Sequence, residues 1–248
     1  MNQLNIYGVA GTGINLAVDF ANVANDPSKP MFAKTKRYYL DTSDANIRPG
    51  MDLHVCQGLS GAGKHRGTAY QEVHDQINNM LDAHAPGSFN IVMFGLAGGS
   101  GSVIAPLLVA ELLRRGCPTV CICIGSTDSS IEATNTVATL KTLQAMATSG
   151  KTGKRAIPIV YRENRNAGDE QVDYTATRTE NNLFVEKTVR RLAMLFSGKH
   201  RELDYSDVKN WLDYSVVSPD IPAQLVEILP LTDDDSVSLY SGSVIGTV

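Results

Sequence analysis

The sequence lacks the features that would place it in several broad classes. No apolar run approaches the roughly 18 residues of a membrane-crossing helix, and Met1–Asn5 has no basic-then-apolar start of a secretory signal. Cysteine is scarce, with four residues: Cys56, Cys117, Cys121 and Cys123. Cys121 and Cys123 fall on one face of an apolar strand, and no histidine or second cysteine pair completes a zinc pattern. They read as small buried hydrophobes in a reducing compartment. Positive charge is not in excess, because 22 Lys and Arg against 26 Asp and Glu leave a net charge of −4. That is not the surface of a direct nucleic-acid binder. Repeats and low-complexity segments are absent. What is present is ordinary globular composition over 248 residues, 43% hydrophobic and 19% charged. This suffices for one large domain or two small ones with a real core. The expectation is a soluble, cytoplasmic protein with no membrane partner.

Strand and helix patterns alternate along the chain. Leu4–Val9 is a short apolar strand ending in glycines, with a helix expected from Asn15 to Asn25. Lys36–Asp41 and Leu53–Gln57 read as strands, and Ala69–His84 as a helix with Val73, Ile77, Met80 and Leu81 on one stripe. Asn90–Gly95 and Pro118–Gly125 are unbroken apolar runs, the pattern of strands covered on both faces. Helices follow them at Val103–Arg115 and Ile131–Thr148, the first closed by Gly116 and Pro118. Ala156–Tyr161 is a further strand. A polar stretch then leads into a helix at Thr179–Phe196, where Val185, Val189, Leu192 and Phe196 form one buried stripe. After Trp211 the character changes: Asp213–Pro222 is loop-like, and two strand-like runs flank Asp233, Asp234 and Asp235, a solvated acidic turn. This alternation predicts an open parallel α/β sheet with helices on both faces, whose ligands bind at the carboxyl ends of the strands.

Three glycine-rich turns lie where such ligands would bind. The first, Gly8–Asn15, has glycine at 8, 11 and 13, but Leu16 stands where a dinucleotide fingerprint needs its last glycine. What remains is a turn of small residues that lets amides approach an anion at a helix start. The second, Gly58–His65, misses the phosphate loop G-x-x-x-x-G-K-(S/T) by one residue, with His65 in place of the magnesium-binding hydroxyl. The third, Leu96–Ser102, is the most specific: Gly98, Gly99 and Gly101 clear space for amides to surround an anion. Ser100 and Ser102 add hydroxyls there. Ser102 is expected to cap the following helix, with Pro106 in its first turn. Farther on, Asp204 and Asp207 stand three apart at the start of a short helix, able to share one face. By spacing alone they read as carboxylates matched to the helix dipole.

Taken in order, these segments resemble the GTPase domain of the tubulin/FtsZ family. Gly95–Ser102 resembles its signature loop G-G-G-T-G-(S/T)-G, with Leu96 and Ala97 departing at its start and Ser100 in place of threonine. Gly8–Asn15 resembles the first nucleotide loop G-V-G-G-G-G-G-N, and Thr42–Ala45 the N-T-D-A after the second strand. Gly61-Ala62-Gly63 resembles the G-A-G of the third loop. Leu203–Lys209 resembles the L-D-F-A-D-V-K that carries the catalytic acids. The resemblance covers residues 4 to 212 and is to short, divergent prokaryotic, phage or plasmid members.

The resemblance implies binding of GTP or GDP with Mg²⁺ by Gly11, Thr12, Gly13, Asn15, Asp44, Gly61, Ala62, Gly63, Lys64, Gly98, Gly99, Ser100, Gly101, Ser102, Glu132, Asn164 and Asn182. In the family, acids corresponding to Asp204 and Asp207 enter the next subunit's pocket. The implied partner is therefore a second copy in a head-to-tail homopolymer, with room for an adaptor protein of unidentified kind. Three residues depart from the family pattern: Glu202 replaces an Asn, Thr136 replaces the arginine four residues after Glu132, and Arg162 competes with Asn164 for the base-contacting position. Relatives continue into a second domain, whereas 37 residues follow Trp211, so a reduced or truncated C-terminal region is expected. The expected division is 1–197 for nucleotide binding, 198–214 for the acidic loop and short helix, and 215–248 for the reduced C-terminal segment. Two other functions fit parts of the pattern: a GTP-binding regulatory module that does not polymerise, and a P-loop kinase using Gly58–Lys64.

Overall fold

Phe89–Gly95 and Thr119–Gly125 are buried along their whole length, as their unbroken apolar sequence requires, and they lie at the middle of one sheet. The structure is a computed structural model that describes residues 3–24, 33–59, 61, 66–164, 174–198, 202–229 and 244–247. Among these the strands are β1 (Gln3–Val9), β2 (Lys34–Asp41), β3 (Leu53–Val55), β4 (Phe89–Gly95), β5 (Thr119–Gly125), β6 (Ile157–Glu163), β7 (Leu225–Leu229) and β8 (Val244–Thr247). They pair in the order β3-β2-β1-β4-β5-β6-β7-β8, every neighbour parallel. The helices are α1 (Ala10–Ala24), α2 (Tyr70–Ala83), α3 (Gly101–Arg114), α4 (Ser130–Ala147), α5 (Tyr174–Leu195), α6 (Tyr205–Leu212) and the single turn α7 (Tyr214–Val217).

Alternation along each strand divides the core in two. Tyr7, Val9, Val92, Phe94, Cys121 and Cys123 face α2, α3 and α4, while Ile6, Ile91, Met93 and Ile122 face α1, α5 and α6. The two cysteines share a face as expected, and burial raises the Cys121 thiol to about 12.

Several boundaries differ from the sequence reading. Helix α1 begins at Ala10, five residues early, so Gly11, Thr12 and Gly13 form its first turn rather than a loop. The cause is packing: a Cβ on Gly13 would lie 1.9 Å from the Met93 carbonyl oxygen, and one on Gly8 would lie 2.8 Å from that of Gly13. The glycines let a helix backbone rest directly on β1 and β4. Helix α5 likewise begins at Tyr174 rather than Thr179. Helix α3 begins at Gly101, which moves Pro106 out of the first turn. The region after Trp211 adds two parallel strands to the same sheet, and the stretch expected to be loop-like contains α7. Asp233–Asp235 lie outside the described residues.

One edge of the first core face holds an aromatic ladder. The Tyr38 and His84 rings are 4.7 Å apart, and His54 meets His84 edge-on at 5.4 Å. His84 Nε2 is buried with no hydrogen-bond partner among the described residues. Burial lowers both histidine pKa values. For His84 the neighbouring His54 and Lys36 add to the effect, while Asp52 opposes it.

Two outcomes follow from this packing. Gly13→Ala should destabilise the fold by at least about 2 kcal/mol in chemical denaturation, because backbone blocks the new methyl on one side. The histidines resist a proton that the unfolded chain accepts near pH 6.5, so their contribution to stability is present above that pH and lost as pH falls below it. His84→Phe should therefore weaken the fall in melting temperature between neutral and mildly acidic buffer. An unchanged pH slope would refute this assignment.

Candidate nucleotide-binding site

At the C-terminal ends of β1, β2 and β4 three turns meet. β1 passes into α1 through Ala10, whose φ of +54° lies in the left-handed region that non-glycine residues seldom adopt. This abrupt turn points the first amides of α1 at the sheet edge. The turn from β4 to α3 folds back on itself, since a Cβ on Gly101 would lie 2.8 Å from the Gly95 carbonyl oxygen. A Cβ on Gly95 would meet the Thr12 hydroxyl at the same distance, so this turn is seated on α1. The turn after β2 closes the group: Thr42 and Ser100 share a 2.6 Å hydroxyl–hydroxyl hydrogen bond, and the Gly61 amide donates to the Thr42 carbonyl at 3.2 Å.

The 96–100 turn is held from behind and open in front. Thr139 Oγ1 donates to the Leu96 carbonyl at 3.1 Å, and Asn135 Nδ2 to the Ala97 carbonyl at 3.0 Å. Both α4 donors are buried. Among the described residues no hydrogen bond engages the amides of Gly98, Gly99 or Ser100, and a Cβ on Gly98 would meet nothing within 4 Å. Free consecutive amides at a helix start, with the space before them clear, form a cradle for an anion such as a phosphate. Ser102 does not cap α3 as expected. It sits inside the first turn and donates to the Gly99 carbonyl at 3.0 Å, which stiffens the turn.

Beside this cradle is a cleft of ≈ 140 Å³ between α1, α5 and the ends of β5 and β6, lined by Thr12, Asn15, Asn164, Arg178 and Asn182 among others. It brings together four residues named from sequence. Asn164, not Arg162, faces it: the Arg162 guanidinium lies 4.4 Å from the Phe184 ring centroid and donates to Asn181 at 3.1 Å. Asn182 Nδ2 donates to Asp19 Oδ2 at 3.2 Å, and Arg48 donates to the Asn15 side-chain oxygen. Asp44 is exposed on the turn after β2. Glu132 does not line the cleft; it stands in the first turn of α4 and accepts a 3.1 Å hydrogen bond from Ser126. Ala62, Gly63 and Lys64 lie outside the described residues. A larger cavity of ≈ 620 Å³ between α2, α3 and α4 has an apolar floor of Val103, Pro106, Leu107 and Ala110, and Gly98, Gly99 and Ser100 do not line it.

Sequence reasoning missed Arg48 and Arg178. Arg178 lies one helical turn before Asn182, so i,i+4 spacing would have found it had α5 been started at Tyr174.

Asp204 and Asp207 are elsewhere. They cap α6 reciprocally: Asp204 accepts from the amides of Ser206 at 2.7 Å and Asp207 at 3.0 Å, and Asp207 accepts from the Asp204 amide at 2.9 Å. The adjacent Tyr205 ring is 5.2 Å from that of Phe89, the first residue of β4. The acids therefore lie beyond the N-terminal ends of the strands, and the cradle beyond the C-terminal ends. The length of β4, about 20 Å at the usual rise, separates them.

Gly98→Ala isolates the cradle. Its fold stability should stay within about 0.5 kcal/mol of the parent, since the methyl enters open space. If the cradle holds the phosphates of a nucleotide, affinity for that nucleotide, read by calorimetry, should weaken at least tenfold, about 1.4 kcal/mol. Unchanged affinity would place the phosphates elsewhere.

No family model matches the chain. It is 31% identical over 229 residues to the phage tubulin-like protein of Pseudomonas phage PhiPA3, covering 91% of this chain and 66% of that one. Among solved structures, the protofilament of TubZ from bacteriophage PhiKZ superposes with a TM-score of 0.77 at 25% identity, over 99% of this chain and 78% of that one. The phage tubulin PhuZ with GDP gives 0.77 at 24% identity, over 98% and 78%. The chain spans 59–67% of the length of the curated phage relatives it matches. A shared fold could arise by convergence, but identity maintained along nine-tenths of the sequence could not, and the chain belongs to the tubulin/FtsZ superfamily beside its phage tubulin-like members.

Proposed function

We propose that the chain binds GTP at the C-terminal edge of the sheet and hydrolyses it within a head-to-tail filament, where Asp204 and Asp207 of one copy complete the site of the next. The observation that carries this reading is the separation of parts: an anion cradle at one edge and paired, exposed carboxylates at the other, about 20 Å away along β4. Among the described residues neither edge brings the anion cradle and the paired carboxylates together. A contact joining unlike edges is heterologous and does not close, so it propagates as a filament. That relatives are described as a protofilament of TubZ and as PhuZ with GDP supports both the assembly and the guanine nucleotide.

In this reading the triphosphate rests on the amides of Gly98, Gly99 and Ser100 and on the first turn of α1 at Gly11, Thr12 and Gly13. The positive ends of two helix dipoles converge there. Gly101 and Ser102 shape the turn, Asp44, Gly61, Ala62, Gly63 and Lys64 border the phosphates, and Glu132 serves the ribose side. Asn15, Asn164 and Asn182 meet the purine edge. Among the described residues no three His, Cys, Asp or Glu side chains converge on a metal site, so Mg²⁺ would be held mainly by the phosphate oxygens whose charge it neutralises. Residues 1–197 then form the nucleotide-binding part, 198–214 carry the acids, and 215–248 contribute β7 and β8. Orientation or deprotonation of the attacking water by a positioned carboxylate is worth roughly 10²–10⁴-fold.

Because Asp204 also caps α6, its replacement by alanine would mix a folding loss of about 1 kcal/mol with the catalytic one. Asp204→Asn keeps a capping oxygen and removes the charge. It should cut GTP turnover by about 10²-fold or more with nucleotide binding retained. For the parent protein, turnover per molecule should rise with concentration, in step with light scattering. Turnover independent of concentration would indicate a complete site within one chain. Binding with a flat scattering trace at every concentration would indicate a nucleotide-binding module that does not polymerise.

A further inference from the structure

Among the described residues, neither Arg48 at one edge nor Glu202 at the other has an ion-pair partner. Arg48 is exposed on the turn after β2, at the cradle edge; its guanidinium reaches the neutral Asn15 side chain, and no described carboxylate pairs with it. At the opposite edge Glu202 is exposed two residues before Asp204. Asp204 and Asp207 spend their oxygens on neutral amides, so three carboxylates crowd one stretch, with Lys209 a turn farther along α6. Each charge has an exposed apolar neighbour: Ile47 is 58% exposed beside Arg48, and Leu203 and Tyr205 are 42% and 39% exposed beside Glu202.

The pairing is thus complementary in sign and in apolar character, and edges about 20 Å apart cannot meet within one chain. We propose that Arg48 of one copy pairs with Glu202 of the next across the head-to-tail contact, with Ile47 seated against Leu203 and Tyr205. The inference rests on the head-to-tail reading above and adds its register. It also accounts for Glu202, which stands where the resemblance leads one to expect a neutral Asn. Left alone, a third carboxylate would oppose the approach of Asp204 and Asp207 to a triphosphate, and a guanidinium opposite it cancels that repulsion. Asp44 lies on the same turn as Arg48 and would repel the acids, which favours alignments that set the cation rather than Asp44 against them.

A charge-reversal cycle tests the pair. The concentration needed for assembly is read by light scattering with a slowly hydrolysed GTP analogue for the parent, Arg48→Glu, Glu202→Arg and the double variant. Each single reversal should raise it by about tenfold or more, and the double variant should return to within about threefold of the parent. A double variant no better than its worse single parent overturns the pairing and leaves the head-to-tail reading standing, because the parent still assembles. A parent that never assembles removes that reading and the pair with it. GDP binding by dilute monomers decides the remaining case: a tenfold loss in Arg48→Glu assigns the guanidinium to the nucleotide instead and overturns the proposal.

Discussion

The structure depends on one close approach, the contact of the α1 backbone with β1 and β4. Gly13 faces the Met93 carbonyl with no room for a methyl, and Gly8 and Gly101 are confined in the same way. Because these backbones touch, the first turns of α1 and α3 sit side by side above the sheet, and Gly95 brings the Thr12 hydroxyl against the second turn. Any larger residue at these points would lift a helix from the sheet and spread the amides apart. Gly8 and Gly13 act through packing, whereas a Cβ on Gly98 would enter open space.

Parallel pairing supplies the second constraint. With every strand running the same way, all strand-to-helix turns fall at one edge and all helix-to-strand returns at the other. The anion cradle and the acids of α6 are therefore held apart by the rigid length of β4. A fully buried strand cannot shorten, so no motion within the sheet brings them together. In the proposed reading, chemistry that needs both draws on two molecules, and a contact between two unlike surfaces propagates as an open-ended assembly. The exposed Arg48 and Glu202 at the two edges fit the same geometry.

Hydrogen bonds from several elements hold the cradle from behind. Thr139 and Asn135 reach from α4 to the carbonyls of Leu96 and Ala97, Ser102 holds the Gly99 carbonyl, and Thr42 holds Ser100. Each donor takes a carbonyl or hydroxyl, and the amides stay free. A turn fixed in this manner does not have to be ordered when an anion arrives.

Much of this was legible in the sequence. The apolar runs of β4 and β5 identified central strands because burial on both faces leaves no alternation to hide, and the glycine spacing of 96–102 identified the cradle. The ordered set of turns identified the family, and the helix-start acids at 204 and 207 were named before their positions were known. The sequence misjudged the starts of α1 and α5, because glycines and polar residues are poor helix formers until a neighbouring sheet or helix rewards the conformation. It also left Arg162 and Asn164 unresolved and overlooked Arg48 and Arg178. Local pattern determined which elements form and which turns can hold an anion, since periodicity and glycine are read residue by residue. Only the tertiary structure decided which side chains share a cleft and that the acids lie a strand's length from the amides, because those facts depend on contacts between residues distant in the chain.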